Sequence, residues 1–149
     1  MSLPGSLLLL VHAASTWYMV GLIWFVQVVH YPLFDRVGED GFAAYEARHQ
    51  SRTFLVVGPP MLVEALCAVC IVFRGEGPAL MIWTGLALTI LIWASTALVQ
   101  IPCHDRLAAG FSGSAHALLV GSNWIRTCSW TLRGIIALAL LYRPMQPNG

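Results

Sequence analysis

Four stretches of the chain are almost continuously apolar, and each is long enough to form a membrane-spanning helix. They cover residues 6–31, 53–73, 79–101 and 117–142. A spanning helix needs about 20 mostly apolar residues, whereas the segments that separate these four are short or polar. The pattern predicts an all-α fold: an integral membrane four-helix bundle that forms one domain over residues 1–149, with both termini on the same side.

Composition supports this prediction. Hydrophobic residues make up 58% of the 149 residues, only 10% are charged, and lysine does not occur, a balance that argues against a soluble domain. The chain also has no basic patch with interleaved aromatic residues, so we expect no nucleic-acid partner. The expected partners are the lipid bilayer and a small lipophilic substrate, and a homo-oligomer is an open alternative. The expected location is the bacterial inner (cell) membrane, as a multi-pass protein.

The fourth apolar segment carries polar residues into the membrane. Asn123, Arg126, Trp130 and Arg133 lie three, four and three residues apart, and this spacing places them on one helix face. An arginine near the bilayer centre costs at least about 2.5–3.5 kcal/mol, so we expect this face to point into the bundle. Glu64 lies at a similar depth in the second segment and is the expected counter-ion of one or both arginines.

Such a pairing leaves one positive charge inside the bundle for a bound anion or an electron-rich ligand. We therefore predict that Glu64, Arg126 and Arg133 are catalytic and handle protons or stabilise an anionic intermediate. The alternative is a buried ion pair with a purely structural role.

Three histidines arrive at one mouth of the predicted bundle. His30 ends the first segment, His49 precedes the second and His104 follows the third, so topology brings all three to the same side. Three imidazoles can bind a transition metal, copper, iron or zinc, although the chain has no HExxH sequence and no paired Glu-x-x-His motif. His116, in a Gly/Ser-rich region, is expected to be exposed.

Topology gathers Gln27, Gln100, Asn123 and Arg126 at the same mouth. The residues predicted to bind substrate are Gln27, Tyr31, Gln100, Asn123 and Trp130. On a straight helix Glu64 lies about 22 Å along the axis from His49, so both can bind one metal only if the chain folds back between them. Gly58-Pro59-Pro60 is expected to interrupt the helix at that point.

One combination of residues is distributed over most of the chain: Val26–Phe34, Tyr45, His49, Pro59–Glu64, Gln100–His104, Leu107, Gly110-Phe111, Asn123–Thr127, Trp130 and Arg133. This combination resembles the anthrone-oxygenase-like small four-helix membrane proteins. It implies an oxygenase or oxidoreductase that acts on an aromatic or lipophilic substrate.

The first segment contains a second combination, Leu10-Val-His12, Trp17, Gly21-Leu22 and Val29-His30-Tyr31. It resembles the four-helix membrane protoporphyrinogen oxidase that uses haem b. It implies that His12 is a haem ligand, although no second histidine is expected on that side of the membrane. Three hypotheses therefore stay open: a metal-dependent membrane oxidoreductase, a haem-binding oxidase, and a non-catalytic carrier or assembly subunit.

Overall fold

The structure is a computed structural model that describes residues 3–143, and this part of the chain contains helices and no strands. The α-helices are α1 (Leu3–Phe25), α2 (Glu39–Arg74), α3 (Ala79–Ser95), α4 (Ile101–Ala108) and α5 (Gly113–Tyr142). Two π turns, Val26–His30 and Thr96–Gln100, and a 3-10 turn, Pro32–Arg36, complete the order. Because α4 continues α3 through the second π turn, the fold consists of four long helices, and the predicted all-α bundle is confirmed.

The four long helices form a four-sided bundle. Both α1 and α3 pack against α2 and α5. Leu9, Ile71, Ile82 and Leu140 form one buried apolar cluster, so the start of α1 and the end of α5 lie at the same end as the turn between α2 and α3. The predicted placement of both ends of the chain on one side therefore holds for the residues that the structure describes. We call this end A and the opposite end B.

The outer surface of the bundle is apolar. Three helical stretches, Gly5–Arg36, Glu39–Arg74 and Ala79–Ala108, are long and apolar enough to cross a membrane. Large apolar side chains such as Leu66 and Leu98 are exposed on the outside, as expected of helices surrounded by lipid rather than water. Helix α5 is also long enough, but it is less apolar than these three stretches because its inner face carries polar residues. The fourth predicted span is thus found as a helix, and the fold is that expected of a membrane protein.

Helix α2 runs without interruption from Glu39 to Arg74 and contains Pro59 and Pro60 in its interior. The prediction that these prolines interrupt the helix is therefore wrong. Helices α1 and α3 pack along α2, and such neighbours allow a membrane helix to keep its course where proline removes backbone donors. As a consequence, the chain does not fold back, and Glu64 stays about 22 Å along the helix axis from His49.

Both π turns come just before a proline. Pro32 follows the turn Val26–His30 closely, and Pro102 follows the turn Thr96–Gln100. A proline ring clashes with the carbonyl four residues earlier, and a wider turn relieves that clash, as in the 3.0 Å hydrogen bond from Tyr31 N to Val26 O. Single π turns are frequent at functional sites. Here the two turns end at His30 and Gln100.

Close packing of α1 against α5 depends on Gly134. A Cβ atom at this position would lie 3.1 Å from Val20 Cγ2 and 3.3 Å from the Trp17 ring. The Trp17 Nε1 atom also donates a 3.1 Å hydrogen bond to the Gly134 carbonyl. Small residues permit this kind of close approach between membrane helices.

We expect Gly134→Val to destabilise the bundle by about 1–3 kcal/mol, because the added methyl groups overpack the contact between α1 and α5. Gly121→Val is the matched control, since a Cβ atom at Gly121 meets nothing within 4 Å. The free energy of unfolding, measured by circular dichroism during a titration with denaturing detergent, checks the difference. Equal stability of the two variants would contradict the packing described above.

Candidate metal centre

Glu46, His49 and His104 come together at end B, and we call them the rim triad. Each offers one ligand atom, and the three atoms lie within 4.8 Å of one another. Glu46 and His49 are three residues apart on α2 and so share a helix face, while α4 supplies His104. The shortest contact is 2.6 Å, between His104 Nδ1 and Glu46 Oε1.

Each imidazole of the rim triad is held by its other nitrogen. The His104 Nε2 atom lies 3.0 Å from the Tyr31 hydroxyl. The His49 Nδ1 atom lies 2.9 Å from His30 Nε2 and 3.1 Å from the Thr53 hydroxyl. Hydrogen bonds of this kind fix the tautomer and the orientation of histidines that bind metals. They leave Nδ1 of His104 and Nε2 of His49 for an ion.

The carboxylate of the rim triad also fits a metal ligand. Glu46 is fully buried, and its Oε2 atom has no hydrogen-bond partner among the described residues, a costly arrangement for a carboxylate. Its Oε1 atom accepts a 3.2 Å hydrogen bond from Gln50. A metal ion between the two side chains would take the place of the His104 Nδ1–Glu46 Oε1 contact and satisfy both groups.

Two imidazoles and one carboxylate are the ligand set of the non-haem iron(II) oxygenases, which keep further coordination positions open for substrate or oxygen. Structural zinc sites, by contrast, are usually closed by four protein ligands. The composition of the rim triad therefore favours a reactive metal over a structural one.

A cavity of about 450 Å³ lies between the helices next to the rim triad. This volume falls in the usual range of small-molecule sites, about 300–1,000 Å³. Tyr31, His49 and His104 line the cavity at end B, and Arg126 also contributes to its wall. Its apolar lining includes Met19, Ile23, Phe54, Met61 and Trp93. A lipophilic molecule in this cavity would thus lie beside two of the triad residues.

Sequence reasoning placed His49 and His104 correctly at one mouth of the bundle. His30 lies there too, but it contacts His49 and stands outside the triad. The third member, Glu46, was not among the predicted ligands, although the single Glu46-x-x-His49 spacing was a signal for it. The prediction that His116 is exposed is wrong, because this residue is half-buried and its Nε2 atom lies 2.8 Å from the Tyr31 carbonyl oxygen.

The predicted substrate-binding residues separate into two sets. Tyr31 and Gln100 line the cavity. The Gln100 amide is also held on both sides, since Oε1 accepts a 2.9 Å hydrogen bond from Ser95 and Nε2 donates to Ser122 at 3.1 Å. Gln27, Asn123 and Trp130 are buried in the helix packing instead and are not part of the cavity wall.

Gln27 and Asn123 form a buried chain of hydrogen bonds that ends on Arg126. The Arg126 Nη1 atom donates to Asn123 Oδ1 at 3.1 Å, and Asn123 Nδ2 donates to Gln27 Oε1 at 2.9 Å. Gln27 Nε2 in turn donates to the carbonyl of Val120 at 3.2 Å. This series of hydrogen bonds holds the Arg126 guanidinium in a fixed position at the cavity wall.

Glu64 pairs with Arg133 and not with Arg126. Both side chains of this inner ion pair are almost completely buried. Arg133 also donates hydrogen bonds to the Thr89 hydroxyl and the Gly85 carbonyl, and its guanidinium carbon lies 5.9 Å from the centre of the Trp130 ring. The expected pairing of Glu64 with an arginine is thus found, far from the rim triad.

His12 belongs to the same inner group. It is buried, and its Nε2 atom lies 3.2 Å from Arg133 Nη2. Because a guanidinium can only donate, Nε2 must accept this hydrogen bond. That nitrogen is therefore occupied by Arg133 rather than free for a haem iron, and the residues around His12 do not fit the haem site that the second resemblance implies.

No family model, no curated protein and no solved structure matches this chain. The two resemblances therefore stay predictions.

Proposed function

We propose that the protein is a membrane-embedded oxygenase or oxidoreductase that acts on a lipophilic aromatic substrate and uses one iron(II) ion bound by Glu46, His49 and His104. The observation that carries this proposal is the position of a two-histidine, one-carboxylate group beside an apolar cavity. The membrane location of the helices supports it further, because a lipophilic substrate can reach such a cavity from the bilayer.

Different residues would bind the metal, orient its ligands and enclose the substrate. The rim triad holds the ion, and His30, Tyr31 and Thr53 orient its two imidazoles. When bound, the ion supplies the redox chemistry with dioxygen. The apolar cavity wall excludes water from the reacting groups, which strengthens electrostatic interactions there.

Glu64 and Arg133 have a different role in this proposal. The inner ion pair lies about 22 Å along α2 from the rim triad, too far for its members to exchange a proton with a substrate at the triad. We therefore assign Glu64 and Arg133 to the stability of the bundle and keep only Arg126, at the cavity wall, as a residue that acts on the substrate.

The proposal predicts iron-dependent consumption of dioxygen. The full chain in lipid nanodiscs, loaded with iron(II) and given lipophilic phenols or anthrones, should consume dioxygen, and the zinc-loaded protein should not, because zinc has no redox chemistry. Glu46→Gln should lower the rate at least about tenfold, since outer partners of a metal site alone change activity by about 10–100-fold and Glu46 is a direct ligand.

Glu39→Gln is the matched control, because Glu39 lies on the same helix with its side chain exposed. An oxygen electrode gives the rates. Uptake that is equal in the wild type, Glu46→Gln and the zinc-loaded protein would contradict the proposal. Stoichiometric iron without any turnover of these substrates would instead favour a carrier.

A further inference from the structure

Arg126 is a buried cation that faces a cavity. Its residue surface is 6% exposed, and it contributes to the wall of the 450 Å³ cavity. Its Nη1 atom donates a 3.1 Å hydrogen bond to Asn123 Oδ1. Its Nε atom has no hydrogen-bond partner among the described residues. The side chain is therefore held in place while part of its donor capacity stays unused.

No carboxylate of the described residues forms an ion pair with Arg126. Glu64 pairs with Arg133, and Glu46 pairs with His104. Asp105 also lines the cavity, but its side chain is exposed and makes no ion pair with Arg126. A buried charge without a partner is strongly unfavourable, and a bound anion at this position would compensate it.

The remainder of the cavity restricts what that anion can be. Aromatic and aliphatic side chains form most of the wall, so a strongly hydrated ion such as phosphate would lose its water without replacement. A molecule with an apolar body and one anionic oxygen group fits both the apolar wall and the guanidinium. Its body would contact the wall, and the guanidinium would bind its oxygen by a charge-assisted hydrogen bond.

We propose that Arg126 binds the carboxylate or phenolate oxygen of an apolar, monoanionic ligand inside this cavity. The inference deepens the proposed function, on which its relation to the reaction rests. Arg126, Tyr31 and His104 line the same cavity, and the Tyr31 hydroxyl contacts His104 Nε2, so a ligand held by Arg126 would share the cavity with the rim triad. The substrate class is then an ionised aromatic or fatty compound rather than a neutral hydrocarbon.

The test compares 2-naphthoate with 2-naphthamide, a neutral probe of the same size. Binding is measured by equilibrium dialysis against the full chain in lipid nanodiscs after treatment with a chelator, so that a bound metal makes no contribution. We expect the wild type to bind 2-naphthoate at least about tenfold more tightly than 2-naphthamide, a ratio that corresponds to one charge-assisted hydrogen bond.

Two variants assign the effect to the guanidinium. Arg126→Gln should abolish the preference for 2-naphthoate, whereas Arg126→Lys should retain much of it because the charge is kept. Arg36→Gln, which removes an exposed charge, is the matched control and should behave as the wild type. Circular dichroism shows whether each variant keeps its helices.

Equal binding of the two probes by the wild type, a preference that persists in folded Arg126→Gln, or no binding of 2-naphthoate would each overturn the inference. Because the protein is free of metal in this experiment, its outcome is independent of the iron-dependent turnover described above. The binding experiment can thus contradict the anion site without contradicting the metal site, and the turnover experiment can contradict the metal site without contradicting the anion site.

Discussion

Replacement of Arg133 by leucine is expected to destabilise the bundle by about 3–5 kcal/mol, because it leaves the Glu64 carboxylate buried without its partner. Glu64 is fully buried, and among the described residues its ion-pair partner is Arg133. The same change removes the hydrogen bonds that Arg133 donates to Thr89 and Gly85. Glu64→Leu should have an effect of similar size, since it leaves a guanidinium unpaired at the same depth.

The double variant Glu64→Leu/Arg133→Leu separates pairing from packing. Well-packed apolar residues often replace a buried ion pair without loss of stability, so we expect the double variant to be more stable than either single variant. Arg36→Gln, at the exposed pair with Asp35, should cost less than about 1 kcal/mol. Free energies of unfolding from reversible detergent titrations give the coupling energy.

Additive effects of Glu64→Leu and Arg133→Leu would show that the two side chains do not act as a pair. Single variants as stable as Arg36→Gln would remove the structural role assigned to them here.

Replacement of His104 by alanine is expected to lower the affinity for iron(II) by more than about 100-fold. Loss of an outer partner alone costs about 10–100-fold, and His104 is a direct member of the rim triad. His49→Ala and Glu46→Gln should have comparable effects. Competition with a chromophoric chelator measures the affinities, and circular dichroism shows that the helices remain.

His30→Gln tests the distinction between a ligand and its neighbour. His30 contacts His49 Nδ1 and lies outside the triad, so we expect the smaller loss of about 10–100-fold. If His30→Gln instead released iron as completely as His104→Ala, His30 would have to be counted as a ligand.

The sequence was sufficient to predict the bundle because its signal is strong. Long apolar segments separated by short polar turns permit few alternatives in a membrane, and Leu9 and Leu140 meet at end A as the even number of helices requires. The course of α2 was not predictable in the same way. Whether a helix continues through Pro59 and Pro60 depends on its neighbours, and the sequence does not show them.

The candidate site was predictable only in part. Topology was enough to bring His49 and His104 to one mouth, but the choice of Glu46 as the third member depends on the direction of its side chain. That direction depends on the rotation of α2, which carries both Glu46 and His49, relative to the helix that carries His104. The pairing of Glu64 with Arg133 rather than Arg126 is similar, since it depends on helix rotation and on the contacts of Arg133 with His12 and α3.

Arg126 and Arg133 also differ in a way that depends on their surroundings. Both Arg126 and Arg133 lie on the inner face of α5, as their seven-residue separation predicts. Only their neighbours distinguish them, because Arg133 meets a carboxylate and Arg126 meets an amide and a cavity. Within the part of the chain that the structure describes, Arg133 has a carboxylate partner and Arg126 has none.

Iron K-edge X-ray absorption on the full-length protein loaded with iron(II) tests the metal site most directly. We expect one iron per chain with two imidazole ligands and oxygen ligands at about 2.0–2.2 Å, distances usual for nitrogen and carboxylate donors to first-row metals, and loss of one imidazole contribution in His104→Ala. Sulfur ligands, a four-histidine shell or a spectrum unchanged in His104→Ala would contradict the assignment of Glu46, His49 and His104 as the metal centre.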